Sequence, residues 1–325
     1  MTAQWGLLST ARINDKFIAG VAESRESAVL AVASRDRDRA ERYAAERGIS
    51  RAYASYEALL ADPDVDAVYI SLPNSLHLEW TARALQAGKH VLCEKPLSRR
   101  PADVAAAFDL AERHGRVLME AFMYRHHPQT ARLVELVRSG AIGRLRLVRA
   151  SFSFNAGDPA DVRLFTAMDG GSLMDVGCYC VSAARLLAGE PEVVSGAQVI
   201  GGDGIDITFT GWMRFPGHVL AHFDSGLVCD DRFDLEVVGQ EASLYVPDPW
   251  HCLEPRIELR RAHAVEVITI PAANPYGLEA DNLAAAIRGG ETPLLGRDDA
   301  VGQARAIEAL YTSAESGAPV RPPGH

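Results

Sequence analysis

Asp175 and Tyr179 are the first candidates for acid–base chemistry, because they stand four residues apart in the predicted helix Gly171–Ala188. Side chains at this spacing project from the same face of a helix. Glycines before and within the helix allow a close backbone approach. A phenol with a pKa of about 10 is a poor base near neutral pH unless an adjacent ammonium group stabilises its phenolate. The alternative is a core tyrosine whose hydroxyl is satisfied by a neighbour.

Lys95 lies where a parallel sheet would bind a ligand. It belongs to Cys93-Glu94-Lys95-Pro96, directly after the predicted strand His90–Cys93. A residue before proline does not continue into a helix, and X–Pro is the peptide bond for which the cis form is accessible. Lys95 should therefore face the cleft at the carboxyl end of its strand. Most lysines are surface residues, so the position taken alone favours a solvated side chain.

The elements that position these residues alternate between strands and helices up to about residue 121. The strand candidates are Trp5–Leu8, Val29–Ala33, Val65–Ser71, His90–Cys93 and Arg116–Met119, and the helix candidates are Ile13–Ala22, Arg37–Arg47, His77–Ala87 and Ala102–Arg113. Such alternation indicates βαβ units and a parallel sheet that is buried on both faces. We therefore predict a parallel α/β domain over residues 1–121.

After residue 121 short strand candidates follow one another with few helices between them. They are Leu145–Phe154, Ser195–Ile200, Asp206–Phe215, Val219–Ser225, Phe233–Val238, Ser243–Val246, Arg256–Leu259 and Val265–Ile270. Turn signals such as Phe215-Pro216-Gly217 suggest hairpins and a largely antiparallel sheet. Helices return at Gly171–Ala188, Gly277–Arg288 and Asp298–Ser316. We predict a second α/β domain over residues 122–295, and a C-terminal helix and tail over residues 296–325 that pack back on the first domain.

The turn after the first strand, Ser9-Thr10-Ala11-Arg12-Ile13-Asn14, could hold the pyrophosphate of a dinucleotide. Such a site needs small residues and a helix N-terminus whose amides face the phosphates. Ser9, Ala11 and Asn14 stand where the usual fingerprint has glycines. Ser9 and Ala11 are small, and the hydroxyls of Ser9 and Thr10 can bond phosphate. For the turn taken alone, an ordinary strand–helix connection is the favoured interpretation.

The end of the second strand indicates which dinucleotide would fit. NAD enzymes place an Asp or Glu there to hold the ribose 2′-hydroxyl. This chain has Ser34 and Arg35 instead, and a hydroxyl with a guanidinium suits a 2′-phosphate. We therefore predict a preference for NADP(H), with NAD(H) also possible. The alternative is a solvated charge run, Arg35–Arg39, at the start of a helix.

Composition and charge exclude several classes of function. The 325 residues include 43 acidic and 33 basic side chains, and a net charge of −10 disfavours nucleic acid and anionic membranes as partners. The N-terminal segment lacks the pattern of a signal peptide, and no run approaches the roughly 18 apolar residues of a membrane span, so we expect a cytoplasmic protein. The five cysteines suggest neither a disulfide framework nor a complete zinc site, so we expect no metal.

Several segments together resemble the Gfo/Idh/MocA family, named for glucose–fructose oxidoreductase, inositol dehydrogenase and a rhizopine catabolism protein. They are Asp64–Ile70, Pro73–His77, Ala87–Leu97, Glu120–Gln129 and Gly170–Tyr179. Glu120–Gln129 is similar to the branch of dihydrodiol dehydrogenases and NADP-dependent D-xylose dehydrogenases, whereas the turn after the first strand departs from the family's glycines. The resemblance implies a Rossmann domain, then an α/β domain with a large, mainly antiparallel open sheet, and a homodimer or homotetramer.

The resemblance also implies roles for individual residues. Tyr179 would accept the proton, Lys95 would lower its pKa and hold the substrate hydroxyl, and Asp175 would orient the sugar hydroxyls or Lys95. The implied cofactor-binding residues are Ser9, Thr10, Ala11, Arg12, Ile13, Ser34, Arg35, Leu72, Pro73, Asn74, His77, Glu94 and Lys95. The implied substrate-binding residues are Arg125, Phe154, Arg163, Asp175 and Tyr179.

These expectations describe an NADP-preferring oxidoreductase that acts on a small sugar or diol. A hydride would pass between the nicotinamide and a hydroxyl carbon of a cyclic sugar or vicinal diol, as in an aldose 1-dehydrogenase or a sugar ketoreductase. Two alternatives within the family are an NAD-retaining glycosidase and a cofactor-binding regulator without turnover. The intact set of Lys95, Asp175 and Tyr179 argues against a regulator. The sequence does not indicate which sugar, which carbon or which direction.

Overall fold

The computed structural model describes residues 2–324, which form two compact units. The first unit comprises the chain up to Ser98, Ala102–Met123 and Asn274–Val301. The second comprises Arg99–Pro101, Tyr124–Ala273 and the chain from Gly302. Both units combine helices with a sheet, which confirms the predicted α/β fold class.

The first unit contains a six-stranded parallel sheet. Its strands are β1 (Ala3–Leu8), β2 (Ser27–Ala33), β3 (Arg51–Tyr53), β4 (Ala67–Ile70), β5 (His90–Glu94) and β6 (Leu118–Ala121), in the order β3-β2-β1-β4-β5-β6. The connecting helices are α1 (Asn14–Ala22), α2 (Arg37–Arg47), α3 (Tyr56–Leu60), α4 (His77–Gln86) and α5 (Pro101–Arg113). All four residues of β4 are buried, as expected for a parallel strand that is covered on both faces.

The second unit contains an eight-stranded sheet. Its strands are β7 (Leu145–Asn155), β8 (Val193–Ile200), β9 (Asp206–Phe215), β10 (Val219–Gly226), β11 (Val228–Gly239), β12 (Ser243–Val246), β13 (Arg256–Arg261) and β14 (Ala264–Thr269). Their order is β14-β13-β12-β11-β7-β10-β9-β8, and each neighbouring pair is antiparallel except β7 with β10. The sheet is therefore mainly antiparallel, as predicted. From Phe209 to Phe215 its residues alternate between buried and exposed, so one face of β9 is covered and the other is open.

The helices of the second unit include α6 (Pro128–Arg138) and α7 (Cys178–Ala188), and a π-helical segment, Leu173–Gly177, leads directly into α7. The sequence predicts one helix over Gly171–Ala188. The structure instead places a wider turn, with i to i+5 hydrogen bonding, before the α-helix. Such π turns are rare and occur frequently at functional sites.

The last two helices are α8 (Pro275–Ile287) and α9 (Arg297–Ser316), and their placement differs from the predicted domain boundaries of 1–121, 122–295 and 296–325. The helix α8 belongs to the first unit, whereas α9 belongs to the second unit from Gly302 onward. Within the second unit, Gln303 Nε2 donates to the Cys178 carbonyl at 2.7 Å. Residues 302–316 therefore belong to the second unit, whereas the sequence predicts that residues 296–325 pack back on the first domain.

The helix α8 joins the first unit because two glycines let it approach α1. A Cβ on Gly277 would lie 2.5 Å from the Gly20 carbonyl oxygen, and a Cβ on Gly20 would lie 2.4 Å from the Gly277 nitrogen. The Asp281 carboxylate accepts hydrogen bonds from Ser24 and Ser27 beside this crossing. The crossing thus places α8 against the parallel sheet of the first unit, whereas the sequence predicts it in the second domain.

Candidate active site

The strands of the first unit end in register at one edge of the sheet. Leu8 pairs with Ala33 and with Ile70, Ile70 pairs with Cys93, and Glu94 pairs with Ala121. The residues that follow these strands are therefore neighbours along one edge. Ligands of open parallel sheets bind at this carboxyl edge, and the predicted cofactor residues come directly after these strands.

The turn between β1 and α1 is held by polar side chains. The Ser9 hydroxyl lies 2.8 Å from the Ser71 hydroxyl, which donates to Asn14 Oδ1 at 2.6 Å. Asn14 Nδ2 donates to the Ser9 carbonyl at 2.9 Å, and Ser9 has a φ of +131°, a region that favours glycine. These hydrogen bonds hold the turn Ser9–Asn14, which contains no glycine, in a conformation that includes a positive φ.

The start of α1 suits an anion. The residue before the helix, Ile13, makes no side-chain cap, and the first three amides of the helix donate to the carbonyls of the turn, at 3.0–3.2 Å. The positive end of the helix dipole remains at this N-terminus and favours a phosphate group. Asp15 in the first turn is neutralised by Arg47, whose Nε donates to it at 2.6 Å. That hydrogen bond lowers the pKa of Asp15 below its ordinary value. The turn therefore fits a dinucleotide pyrophosphate.

At the end of β2, Ser34 is buried and Arg35 is exposed. Asp36 caps α2 by accepting from the Arg39 N–H at 2.9 Å, so its carboxylate is used by the helix. Within residues 2–324, Arg35 forms no ion pair. An uncompensated guanidinium beside a serine hydroxyl fits the 2′-phosphate of NADP better than the diol of NAD.

The loops after β4 and β5 are joined by His77. Its ring is fully buried, with Nε2 2.8 Å from the Leu72 carbonyl oxygen and Nδ1 2.9 Å from the Pro96 carbonyl oxygen. The Lys95–Pro96 peptide is cis. Glu120, at the end of β6, accepts from the Leu97 N–H at 2.7 Å. The backbone on both sides of Lys95 is therefore fixed by buried side chains.

Glu94 and Asn74 complete the predicted cofactor residues of these loops. Glu94 is half-buried and accepts a short hydrogen bond from the Tyr69 hydroxyl. Asn74 begins a single 3-10 turn, Asn74–Leu76, that precedes α4. Both residues lie at the carboxyl edge of the sheet, as the motif predicted.

In the second unit the structure brings together three predicted substrate residues. Arg163 Nε lies 3.4 Å from Asp175 Oδ2, and its guanidinium carbon lies 5.2 Å from the centre of the Phe154 ring. Asp161 is 3.5 Å from the same guanidinium. Charged groups that point at one another beside an aromatic face can hydrogen-bond to a polyol while the ring covers its apolar C–H surface.

The Tyr179 ring lies in an aromatic cluster. Its centre is 5.3 Å from that of Phe152, 5.7 Å from that of Tyr124 and 5.8 Å from that of Trp250. Trp250 is fixed in turn, because its Nε1 donates to the Ser151 carbonyl at 2.9 Å. Tyr179 is largely buried, and rings at these separations hold its plane.

Arg125 contacts this cluster through α7. Its Nη1 donates to the Ser182 hydroxyl at 3.2 Å, and the Tyr124 hydroxyl donates to the same oxygen at 2.8 Å. His126 and His127, the next two residues, are held in the neutral form, since burial lowers the pKa of His126 to about 3 and also lowers the pKa of His127. Arg125 thus supplies the positive charge of this segment.

Several residues that hold the site have no role in the prediction from sequence. Asn14 fixes the first turn, Glu120 fixes the loop after Lys95, and Phe152 and Trp250 pack on Tyr179. Asp206, at the start of β9, accepts hydrogen bonds from the beginning of the π-helical segment. Trp250 and Asp206 lie far along the chain from the residues that they contact, so no local spacing indicates them.

The part of the chain that the structure describes contains neither a cluster of metal-ligand side chains nor a membrane-spanning helix. Across residues 2–324, no group of three or more His, Cys, Asp or Glu side chains could hold a metal ion. None of the described helices is long and apolar enough to cross a membrane. All five cysteines have free thiols.

Two protein-family models match most of this chain. The Gfo/Idh/MocA family model, an oxidoreductase family with an NAD-binding Rossmann fold, matches residues 4–122. The model of the family's C-terminal domain matches residues 130–245. Together the two matches span both the cofactor edge of the first unit and the Asp175–Tyr179 region of the second.

Individual relatives match between 77% and 97% of the chain. An NADP-dependent D-xylose 1-dehydrogenase of Haloferax volcanii is 40% identical over 322 residues, with 97% of this chain and 98% of the relative covered. A trans-1,2-dihydrobenzene-1,2-diol dehydrogenase of Mus musculus is 37% identical over 256 residues, 77% of this chain and 76% of the relative. The crystal structure of a 3-ketoreductase from Actinomadura kijaniata in complex with NADP and TDP-benzene is similar, with a TM-score of 0.91, 30% identity and coverage of 96% of this chain and 98% of that one.

These matches confirm the resemblance that the Glu-Lys-Pro motif and the Gly170–Tyr179 segment indicated. The order of the two matched models along the chain is also the order of the two sheets, first the parallel one and then the mainly antiparallel one. The chain belongs to the Gfo/Idh/MocA family of nicotinamide-dependent oxidoreductases.

Proposed function

We propose that this protein is an NADP(H)-preferring oxidoreductase that transfers a hydride between the nicotinamide and a hydroxyl carbon of a cyclic sugar or vicinal diol. The observation that carries the proposal is the assembly of Phe154, Arg163 and Asp175 in the second unit. This set offers an aromatic face and paired charges to a polyhydroxylated ring. The D-xylose dehydrogenase relative, 40% identical, supports a sugar as the substrate class.

The first unit contributes the residues that would hold the dinucleotide. The positive N-terminal end of α1 and the hydroxyls of Ser9 and Thr10 would bind the pyrophosphate, with Ala11, Arg12 and Ile13 completing the turn. Ser34 and Arg35 would bind the 2′-phosphate. When bound, the nicotinamide supplies the hydride acceptor for oxidation or the donor for reduction. The residues proposed to orient the nicotinamide half are Leu72, Pro73, Asn74, Glu94 and Lys95, with His77 fixing their loops.

The second unit contributes the proton chemistry. Tyr179 would take the proton from the substrate hydroxyl during oxidation and return it during reduction. An ammonium group favours the phenolate form of a tyrosine, and we assign that role to Lys95, which would also bind the substrate hydroxyl. Asp175, paired with Arg163, would orient the other hydroxyls, and Arg125 would add positive charge at the edge of the aromatic cluster.

Cofactor binding and turnover can be tested separately. Tryptophan fluorescence would be titrated with NADPH and with NADH, and reduced nicotinamide would then be followed by absorbance as aldoses and cyclic diols are added with the oxidised cofactor. Tighter binding of NADPH and sugar-dependent reduction are expected. Binding without net reduction would favour a cofactor-retaining enzyme or a regulator, and failure to bind either dinucleotide would contradict the proposal.

We also propose a homodimer or homotetramer in the cytoplasm. Support for self-association comes from the open face of the second sheet, where Trp212 is 41% exposed and Leu220 is 48% exposed on neighbouring strands. Light scattering during size-exclusion chromatography measures the assembled mass. A monomer at micromolar concentration would contradict the proposed assembly.

The proposed location in the cytoplasm, a reducing compartment, is consistent with the free thiols of all five cysteines.

A further inference from the structure

The Asp206 carboxylate joins three elements of the second unit. Asp206 is the first residue of β9 and is 2% exposed. Its Oδ2 accepts from the Leu173 N–H at 2.7 Å and from the Ser172 hydroxyl at 2.8 Å, at the start of the π-helical segment. Its Oδ1 accepts from the Tyr311 hydroxyl of α9 at 2.8 Å. One buried carboxylate thus receives hydrogen bonds from a backbone amide and from two hydroxyls.

The backbone at Gly171 is shaped around this carboxylate. Its φ is +122°, and a Cβ there would lie 2.2 Å from Asp206 Oδ1. Gly171 also connects the two partners of the substrate ion pair, because its N–H donates to the Arg163 carbonyl at 3.0 Å and its carbonyl accepts from the Asp175 N–H at 2.9 Å. The position of Asp206 therefore sets the backbone from which the Arg163–Asp175 pair is built.

The other end of the π-helical segment lies beside Ser225, a neighbour of Ser172. The Ser172 hydroxyl lies 3.2 Å from the Ser225 hydroxyl of β10. A Cβ on Gly177 would lie 2.8 Å from that Ser225 oxygen. Asp206, Ser172 and Ser225 thus bracket the segment at both ends, and Tyr179 follows two residues after Gly177.

The residues before the π-helical segment are also linked to Tyr311 of α9, through Arg99. The Arg99 guanidinium carbon lies 5.3 Å from the centre of the Tyr311 ring, and Arg99 Nε lies 3.4 Å from Asp169 Oδ1. Asp169 has a φ of +54° and immediately precedes the Gly170-Gly171 pair. The residues before the π-helical segment are therefore tied to Tyr311, the third donor to Asp206.

We propose that Asp206 is a positioning residue for the hydride-transfer reaction, holding the π-helical segment in the conformation that presents Asp175 and Tyr179 to the substrate. The inference rests on the proposed function of those two residues. A carboxylate suits this position because three donors converge on it, and its two oxygens together can accept all three hydrogen bonds. An amide would turn an NH₂ group toward one of the donors.

The test uses the full-length protein with Asp206→Asn, Tyr311→Phe and, as a control, Asp231→Asn on an exposed part of β11. For each variant, kcat and KM for the sugar, the NADPH dissociation constant and Tm are measured. We expect Asp206→Asn to lower kcat by about 10-fold or more, since small misplacements of reacting groups cost rates of this order. Tyr311→Phe should lower kcat less, and both variants should retain NADPH affinity.

The outcomes separate this inference from the proposed function. Turnover by the unchanged protein together with unaltered kcat in a folded Asp206→Asn variant would overturn the positioning role alone. Parallel losses of kcat, NADPH affinity and Tm would also overturn it, because they indicate general destabilisation. Should Asp206→Asn not fold, Tyr311→Phe keeps the carboxylate and decides by the same criterion. Absence of turnover by the unchanged protein with every sugar would overturn the proposed function and this inference together.

Discussion

Removal of the Tyr179 hydroxyl leaves the packing of its ring in place. Rings of Phe152, Tyr124 and Trp250 hold the Tyr179 ring, with centres within 5.8 Å. Phenylalanine preserves those ring contacts and lacks only the group that would exchange a proton. A change in rate after this substitution would therefore report on chemistry and not on packing.

We predict that Tyr179→Phe lowers kcat by about 100-fold or more, the usual contribution of a positioned acid or base. The NADPH dissociation constant and Tm should change little, because the aromatic packing is retained. Steady-state kinetics and thermal unfolding measure these quantities, with Tyr245→Phe on β12 as the matched control. A kcat close to that of the control would show that another group moves the proton.

Substitution of Arg35 tests the proposed contact with the 2′-phosphate of NADPH. The Arg35→Ala variant should bind NADPH about 10- to 100-fold more weakly, the value of a lost hydrogen-bonded charge pair of about 1.5–3 kcal/mol. NADH binding should be nearly unchanged, because NADH has no 2′-phosphate. Fluorescence titration with both dinucleotides gives the ratio, and Arg37→Ala, which removes the exposed partner of Glu41, is the control. Equal losses for the two cofactors would contradict the assignment.

At the scale of elements, local patterns predicted most of the strands and helices that carry the site. The bounds of α2, β9 and β12 agree with the sequence prediction residue for residue. Two elements of the first unit, β3 and α3, have three and five residues, which is too short for a hydrophobic period to show. The helix α6 was not predicted either, although Pro128 stands at its first position.

Tertiary contacts explain what local patterns left out. The π-helical segment begins where Ser172 and Leu173 donate hydrogen bonds to Asp206. Asp206 belongs to β9, more than thirty residues later in the sequence. The assignment of α8 to the first unit likewise depends on Gly20 and Gly277 meeting across the chain. In both cases, the sequence around one residue does not indicate which distant residue it will contact.

The close crossing of α1 and α8 can be tested by adding a methyl group at Gly277. The Gly277→Ala variant should lower the free energy of unfolding by about 1–3 kcal/mol, a usual cost for overpacking, because the new methyl group would meet the Gly20 carbonyl at 2.5 Å. Denaturant titration measures the change. Gly290→Ala is the control, since its Cβ would meet its nearest neighbour at 3.6 Å. Equal stability of the two variants would show that the helices separate without cost.

At the scale of the whole molecule, the pH dependence of stability should reflect Glu279 of α8. This side chain is fully buried, and neither carboxylate oxygen has a hydrogen-bond partner among residues 2–324. Burial, together with the negative charge of Glu94, raises its pKa well above the ordinary value of 4.5. A carboxyl group with a raised folded-state pKa favours the unfolded state as the pH rises above the unfolded-state pKa.

We therefore predict that Glu279→Gln raises Tm at neutral pH and weakens the loss of stability that this carboxyl causes as the pH rises above about 4.5. Glutamine fills the same volume and has no charge to desolvate. Thermal unfolding at a series of pH values measures the effect, with the exposed Glu41→Gln as the control. A Tm at neutral pH below that of the unchanged protein would contradict the prediction.

The close meeting of α1 with α8 has a consequence for how the protein is made. During synthesis the N-terminal segments leave the ribosome first, so all six strands of the first sheet emerge before α8 exists. The surfaces of α1, β2 and β5 that contact α8 stay uncovered until the whole of Tyr124–Ala273 has been translated. Completion of the dinucleotide-binding unit is thus coupled to synthesis of the second sheet, and a nascent product that stops at Ala273 should remain a substrate for chaperones and proteases.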